Sequence, residues 1–232
     1  MPSWIVHLAT ATQISKQINV DKNSFLVGNL IPDAERYVIN NFSIYVPYHI
    51  SHYSDFQTID GKIEELPNIQ NFINNYKPYL YNPMVLGYLT HLLTDYYWNR
   101  TTYFRYTVRD KEGNCIGVNL NNGSKIDCTI SERSHIKHED FSIFEDYISK
   151  TQDFEIPKYE EKLLDDIKLI KEIPFNKEDI NKIIEYLNGK SYNEIEVKEY
   201  KLFTQEQIEK DYKDSINFVI DYLKQNVLKK KK

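Results

Sequence analysis

The chain has 232 residues, of which 41% are hydrophobic and 27% charged, and its formal net charge is −5. This length suffices for one substantial hydrophobic core, and no linker rich in Pro, Gly or Ser divides it. The acidic balance argues against a general nucleic-acid-binding surface, which is normally basic. No run approaches the ~20 apolar residues that cross a bilayer. With seven glycines and eight prolines, the composition favours helices over a β-sandwich or barrel.

The chain ends and the cysteines bear on the cellular compartment. The first residues lack the basic segment of a signal peptide, and we expect a cytoplasmic protein. Cys115 and Cys128 are expected to be free thiols in a reducing compartment rather than a disulfide across a hairpin. The lysines at 229–232 allow a weak contact with an anionic membrane surface, although a solvated helix end is the favoured interpretation.

Hydrophobic periodicity predicts helices through most of the N-terminal half. The residue before a proline is pushed out of helical geometry, so a helix ends at Pro32 and Asp33 follows it directly. Asn82 and Pro83 are a typical cap and first residue of a later helix. The predicted elements are helices over 3–18 and 23–31, a loop over 34–57, and helices over 67–76 and 82–98.

The pattern changes in residues 103–130. Short runs rich in β-branched residues are separated there by turn signals at 110–114 and 121–124. This alternation predicts a small β-hairpin or three-stranded excursion from the helical body.

Helical spacing returns after residue 138, and again between Tyr159 and Ile170. Asn176 is the predicted cap of one helix, and Thr204 opens the last long helix. The predicted fold class is therefore all-α, a multi-helix bundle with a small β-hairpin excursion around residues 103–130. We interpret residues 1–232 as a single helical domain, with a metal-site part over 1–150 and a C-terminal helical extension over 151–232.

Five side chains in the first 95 positions are of the types that bind metal ions through nitrogen and oxygen, namely His7, Asp33, His52, His91 and Asp95. His91 and Asp95 are four residues apart in a predicted helix, so they share one face. That helix is otherwise apolar, and burying an unpaired imidazole or carboxylate costs free energy. A bound cation would satisfy both groups, and the sequence therefore predicts a metal site.

Each of these residues also has an ordinary structural explanation. His91 and Asp95 can form a helix-surface ion pair worth a few tenths of a kcal/mol, although the surrounding leucines favour a buried metal site. Asp33 can be a turn residue after a proline. Of two neighbouring histidines, His49 is interpreted as structural and His52, in a Ser-His-Tyr context, as a ligand.

The candidate ligands belong to an ordered set of motifs. His7 follows Trp4, Gly-Asn-Leu-Ile-Pro-Asp occupies 28–33, Ser-His-Tyr occupies 51–53, and Gly-Tyr-Leu-Thr-His-Leu-Leu-Thr-Asp occupies 87–95. In this order, roughly the first 100 residues resemble the bacterial zinc-dependent phospholipase C family. That family shares its all-helical fold with zinc nucleases that prefer single strands.

The resemblance implies a zinc ion held by four residues, Asp33, His52, His91 and Asp95, and a second held by His7 and Asp95. In that family the residue matching Asp95 bridges two zinc ions. The residue matching Asp33 is a ligand and a candidate general base, which makes Asp33 the expected catalytic residue. Weaker candidates for a further ion are His135, His138, Glu139 and Asp140.

Two departures from the family pattern bear on the number of ions. In the secreted members the mature chain begins with the Trp, whose amine and carbonyl bind zinc, whereas Trp4 is internal here and its nitrogen is an amide. The stretch after Asp95, residues 96–101, also lacks the histidine that the third zinc of the family uses. We therefore expect one or two zinc ions, with three as the less favoured count.

The expected activity is zinc-dependent hydrolysis of phosphoric esters by metal-activated water, as in phospholipase C. The expected partner is a phospholipid headgroup or another phosphate ester. One alternative is a single-strand nuclease or phosphodiesterase of the same fold, which the acidic net charge disfavours. The other is a non-catalytic helical protein that its metal stabilises.

Overall fold

The computed structural model describes residues 2–34, 46–190 and 199–228. Within these ranges the protein is mostly helical with two small antiparallel sheets, which confirms the predicted fold class. The helices are α1 (Trp4–Ser15), α2 (Lys22–Leu30), α3 (Tyr48–Ser51), α4 (Ile69–Tyr76), α5 (Pro83–Tyr106), α6 (Ile130–Thr151), α7 (Leu163–Ile167), α8 (Lys177–Gly189) and α9 (Gln205–Asn226). The predictions for loop residues 35–45 and for the lysines at 229–232 lie outside the described residues.

The strands form one hairpin and one three-stranded sheet. They are β1 (Ser54–Ile59), β2 (Lys62–Pro67), β3 (Thr107–Arg109), β4 (Cys115–Asn119) and β5 (Lys125–Asp127), paired in the orders β1-β2 and β3-β4-β5. The second sheet is the predicted excursion. Cys115 and Cys128 are both free thiols beside it, and the Cys115 sulfur lies 3.9 Å from the Cys128 carbonyl oxygen.

Side-chain caps fix the starts of several helices. Asn82 accepts from the backbone N–H groups of Met84 and Val85, at 3.0 and 3.3 Å. Asn176 caps α8 and Thr204 caps α9, as predicted. These bonds satisfy N–H groups that have no partner inside the helix.

The predicted loop over 34–57 was wrong where the structure describes it, because this stretch contains α3 and most of β1. A two-residue turn joins β1 to β2, with Asp60 at φ 52° and Gly61 at φ 72°. An Asp-Gly pair between β-forming residues is the typical signal for such a turn, since both positions need a positive φ. The sequence therefore carried the signal for this hairpin.

Two helix boundaries also differ from prediction. α5 continues past residue 98 to Tyr106, because the buried face goes on through Asn99, Thr102 and Tyr103. Only Leu163–Ile167 is helical within the stretch predicted from Tyr159 to Ile170. Apolar spacing there reflects residues packed on the core without a continuous helix.

Two glycines allow α2 and α5 to cross at very short range. A Cβ added at Gly28 would lie 2.0 Å from the Met84 carbonyl oxygen, and one at Gly87 would lie 2.0 Å from that of Phe25. Any larger residue would force the helices apart. The crossing is also bonded, because the Asn29 amide donates to the Gly87 carbonyl at 3.2 Å.

α5 lies at the centre of the molecule and packs against α2, α4, α7, α9 and β2. α9 also packs against α1, so the predicted C-terminal extension contributes to the same hydrophobic core as the metal-site part. Trp4 is part of this core, and its indole N–H donates to the Leu30 carbonyl at 3.0 Å. No helix in the described ranges combines the length and apolar character needed to cross a membrane.

Candidate metal centre

The five predicted ligands, which we call the metal cluster, meet in the interior, and none is more than 2% exposed. Two overlapping groups have ligand atoms within 4.8 Å of one another. One group is His7, His91 and Asp95, and the other is Asp33, His52 and His91. Buried nitrogen and oxygen ligands at these separations can hold a metal ion.

Four separate elements supply these side chains. α5 presents His91 and Asp95 one turn apart on the same face. The 3₁₀ turn Ile31–Asp33, which follows α2, supplies Asp33, and the C-cap position of α3 supplies His52. His7 comes from α1, and its ring stacks on that of His91 with centroids 3.9 Å apart and planes 8° apart.

The spacing of three ligand atoms fits one face of a tetrahedral site. Zinc–nitrogen and zinc–oxygen bonds of about 2.0–2.1 Å imply ligand-to-ligand edges of about 3.3–3.4 Å in a tetrahedron. The measured separations are His52 Nε2–His91 Nε2 3.2 Å, His91 Nε2–Asp95 Oδ2 3.4 Å and His52 Nε2–Asp95 Oδ2 3.6 Å. Asp33 approaches the same two imidazoles through different oxygens, with Oδ1 3.2 Å from His52 Nε2 and Oδ2 3.8 Å from His91 Nε2.

The Asp95 carboxylate faces two sides of the cluster. Its Oδ2 points to His52 and His91, whereas its Oδ1 lies 3.4 Å from His7 Nε2. Neither Asp95 oxygen and neither His7 ring nitrogen has a hydrogen-bond partner among the described residues. Each buried polar group without a partner costs about 1–3 kcal/mol. An ion on each side of Asp95 would satisfy these atoms.

Hydrogen bonds outside the cluster orient two of the imidazoles. His91 Nδ1 donates to the Asn29 carbonyl at 2.8 Å, which the close crossing of α2 and α5 makes possible. His52 Nδ1 lies 2.8 Å from the Ser51 hydroxyl, whose own hydrogen is directed to the Tyr48 carbonyl at 3.4 Å. The Asn29 carbonyl fixes the proton of His91 on Nδ1, and both imidazoles present Nε2 to the interior, the orientation of metal-binding histidines.

The cluster therefore gathers nitrogen and oxygen atoms that all suit a cation. The Nε2 atoms of His52 and His91 are 3.2 Å apart and also face the carboxylates of Asp33 and Asp95. In a low-dielectric interior these carboxylates need a positive partner, which a metal ion or a protonated imidazole supplies. The donor chemistry thus fits a metal ion.

The pKa shifts follow from burial and from this crowding. Burial lowers the pKa of His7, as does the neighbouring His91, and burial lowers the pKa of His52 to about 4 despite Asp33. Burial also opposes the charged form of His91, but Asp95 and Asp33 outweigh it and raise its pKa. Burial disfavours the Asp95 carboxylate, yet His91 and His7 hold its pKa well below the usual value.

The four weaker candidates are not brought into the cluster, and none of them belongs to a group of three close ligand atoms in the described residues. The His135 side chain is 77% exposed and 3.7 Å from Glu139, which the Lys201 ammonium also binds at 2.6 Å. His138 is exposed at the mouth of a pocket. Asp140 is buried and is occupied by a structural role, accepting from the backbone N–H groups of residues 201–203. Burial raises its pKa.

His49 lies on the exposed side of α3, one turn before His52, and outside the cluster. The structure therefore directs His52, and not His49, towards the other candidate ligands. The reason is local, because a four-residue helix buries only one end, and that end carries Ser51 and His52.

Sequence reasoning missed a second buried polar group, the Glu64 cluster, made of Glu64, Arg109 and Arg133. Arg133 donates to both Glu64 oxygens, at 2.5 and 2.8 Å, and Arg109 also binds Glu64. One turn beyond Arg133, Lys137 is 1% exposed and donates to Asn99 Oδ1 at 2.7 Å. The spacing of Arg133 and Lys137 on one helix face was the available signal.

A pocket of about 190 Å³ lies beside this group. Arg133, Lys137 and Asn99 line it, together with Tyr48, whose ring centroid is 4.1 Å from that of His52. One residue of the pocket wall is therefore in contact with a candidate metal ligand.

Comparison of the chain with protein-family models, with curated proteins and with solved structures found no match. What the centre does must therefore be inferred from its own chemistry. That chemistry is a buried set of imidazoles and carboxylates, oriented by hydrogen bonds from outside and beside a small pocket.

Proposed function

We propose that the protein is a zinc-dependent hydrolase of phosphoric esters, phospholipase C-like in its reaction. The observation that carries this proposal is the convergence of three buried imidazoles and two buried carboxylates, whose facing nitrogen and oxygen atoms lie 3.2–3.8 Å apart. Nitrogen and oxygen ligands at such separations suit Zn²⁺. The ordered motifs of the first 100 residues, which resemble the zinc-dependent phospholipase C family, point the same way.

Asp33, His52, His91 and Asp95 would hold one ion, and His7 with the other oxygen of Asp95 would hold a second. Four protein ligands complete the first position, whereas two leave the second open to water and substrate. A bound zinc ion lowers the pKa of its water towards about 7 and polarises a phosphoryl oxygen. One or two ions is thus the proposed stoichiometry.

The protein's own groups have separate tasks in this proposal. Asp33 would act as general base through Oδ2, which lies 3.8 Å from His91 Nε2. The Asn29 carbonyl and Ser51 hydroxyl hold His91 and His52 in the tautomer whose Nε2 faces inward. Burial excludes bulk water, which strengthens every electrostatic interaction in the site.

A second candidate function is a non-catalytic, metal-stabilised helical protein. The specific observation in its favour is burial, since all five side chains are at most 2% exposed. Four protein ligands in a closed tetrahedron are also typical of structural zinc. This candidate predicts stabilisation by metal without turnover of any phosphate ester.

Metal content tests the site itself. Purified wild type, His91→Ala and a control, His135→Ala, are compared by elemental analysis after exposure to zinc and gel filtration. We expect one or two zinc ions per chain in wild type and in the control, because His135 is exposed and outside the cluster. His91→Ala should lose most of its zinc, since it removes a ligand common to both groups. Equal zinc in wild type and His91→Ala would overturn the proposal.

Turnover then separates the functions. The zinc-loaded protein is assayed with a chromogenic phosphocholine ester, with a chromogenic phosphomonoester and with single-stranded DNA. Hydrolysis of either small ester that is lost in His91→Ala supports the proposed activity. Cleavage of the DNA alone would indicate a nuclease. Bound zinc with no turnover of any of the three would indicate the structural role.

A further inference from the structure

Lys137 is a buried cation without an anion. Its side chain is 1% exposed and donates to Asn99 Oδ1 at 2.7 Å. It also interacts with the Tyr103 hydroxyl, but no carboxylate of a described residue lies within ion-pair distance. An ammonium has three N–H donors, so one remains. A buried charge in this state is costly unless a ligand completes it.

Arg133 adds a second unfilled donor next to Lys137. Its two terminal nitrogens bind Glu64 and Thr107, but its Nε has no partner among the described residues. Glu64 is shared between Arg133 and Arg109, so one carboxylate faces two guanidinium groups. The neighbouring Glu65 accepts from the Ser54 hydroxyl at 2.6 Å. Three cations against two carboxylates leave the region with a net positive charge.

The pocket beside these groups is small. Its volume is about 190 Å³, below the roughly 300–1,000 Å³ of sites for drug-sized ligands. Tyr103, Ser134 and Asn99 line it along with the two cations, and so do Glu64, Glu65, Phe56 and Ile130. Both carboxylates already have partners, Glu64 in the two guanidinium groups and Glu65 in the Ser54 hydroxyl. The size of the pocket suits a small oxyanion, such as a phosphate group with a compact substituent, whereas a lipid with its chains or an oligonucleotide would extend far outside it.

Two lining residues connect the pocket to the metal cluster. Tyr48 lines it and also contacts the His52 ring, with centroids 4.1 Å apart. Asn99, which positions the Lys137 ammonium, follows Asp95 by four residues on α5. Four residues of helix correspond to an axial distance of about 6 Å. With the 2.7 Å from Asn99 to Lys137 and a further charge-assisted bond of about 2.8 Å, an anion bound by Lys137 would lie roughly 10 Å from Asp95.

We propose that Lys137 and Arg133 form an anion subsite that binds the phosphate group of a small phosphate ester next to the metal cluster. The reaction role of this subsite rests on the proposed function, whereas anion binding by itself does not. The two cations would offset the charge of the phosphate group. The substrate class is thus narrowed to phosphate esters whose polar part fits this pocket.

Phosphate binding to metal-free protein tests the subsite independently of zinc. Isothermal titration calorimetry with inorganic phosphate is run at constant ionic strength on chelator-treated wild type and Lys137→Met. The control is Lys150→Met, the same substitution in the same helix at a side chain that is 52% exposed. We expect at least a tenfold loss of phosphate affinity in Lys137→Met, because charge-assisted hydrogen bonds are removed, and an unchanged affinity in Lys150→Met.

A measurement of the melting temperature keeps the test valid even if the substitution at Lys137 perturbs the core. Without phosphate, Lys137→Met should melt at or above the wild-type temperature, because an unpaired buried charge has been removed. Phosphate should raise the melting temperature of wild type and Lys150→Met but not of Lys137→Met. If Lys137→Met fails to fold, Lys137→Gln takes its place.

The outcomes separate this proposal from the hydrolase proposal. No phosphate binding in wild type, or equal affinity in wild type and Lys137→Met, would overturn the subsite even if zinc binds. Phosphate binding that depends on Lys137 in a protein that takes up no zinc would support the subsite and overturn the hydrolase. Phosphate binding that depends on Lys137, in a protein that also binds zinc, would support both the subsite and the hydrolase proposal.

Discussion

The metal cluster and the Glu64 cluster are both buried and polar, but they differ in their balance of donors and acceptors. In the Glu64 cluster two guanidinium groups meet one carboxylate, and the bonds are 2.8 Å or shorter. In the metal cluster three imidazoles and two carboxylates meet, and both Asp95 oxygens and both His7 ring nitrogens lack a hydrogen-bond partner among the described residues. In the Glu64 cluster the protein itself satisfies the carboxylate, whereas the metal cluster leaves acceptor atoms that a cation would satisfy.

Burial of polar side chains therefore does not by itself indicate a functional site. The Glu64 cluster joins β2, the end of β3 and α6, and so fixes the β1–β2 hairpin to the helical body. Its role is structural. The metal cluster joins four elements, yet several of its imidazole and carboxylate atoms have no hydrogen-bond partner among the described residues. Whether the unsatisfied atoms are donors or acceptors, rather than their burial, indicates what each cluster needs.

The largest expected effect is on the Glu64 cluster. Glu64→Gln keeps the shape of the side chain but leaves two buried guanidinium groups without a carboxylate, which should lower the free energy of unfolding by about 3–5 kcal/mol. Glu65→Gln is the matched control, and we expect less than about 1 kcal/mol there, because Glu65 is half-buried and accepts one hydroxyl. Urea denaturation with and without zinc measures both. An equal loss in the two variants would contradict a structural role for Glu64.

Chelation should affect the metal cluster alone. A ligand that binds only the folded state stabilises it by about 2.7 kcal/mol at a hundred times its dissociation constant. Removing zinc from the wild type should therefore lower its melting temperature by several degrees. The same treatment should leave His91→Ala unchanged, because that variant has lost a shared ligand. A chelator-induced shift of equal size in His91→Ala would show that zinc stabilises the fold from elsewhere.

The smallest expected effect concerns the orientation of His52. Ser51→Ala removes the hydroxyl that lies 2.8 Å from His52 Nδ1. Loss of such an outer hydrogen bond typically weakens metal binding by about 10–100-fold. Zinc affinity is measured by competition with a fluorescent chelator. Ser149→Ala, which removes a hydroxyl bonded to a helix carbonyl, is the control. Unchanged affinity in Ser51→Ala would indicate that His52 is held by packing alone.

The helical class, the excursion around residues 103–130 and the caps at Asn82, Asn176 and Thr204 were predictable, because each depends on short-range patterns. The ligand candidates were also readable, since an imidazole and a carboxylate four apart on an apolar helix are conspicuous. The β1–β2 hairpin was missed although its Asp60-Gly61 turn was present in the sequence. The Glu64 cluster was less predictable, because Glu64 is separated from Arg109 and from Arg133 by more than forty residues and meets them only through sheet and helix packing.

The sequence by itself determined which residue types are available for a metal and which of them share a helix face, because helical periodicity is a local property. The tertiary structure alone decided that His7, Asp33 and His52 meet His91 and Asp95, since this requires α2 and α5 to cross at the contact distance that Gly28 and Gly87 permit. It also decided that Lys137 is buried without a carboxylate beside the cluster. Neither fact has a local signature, because both follow from how distant segments exclude water from the same volume.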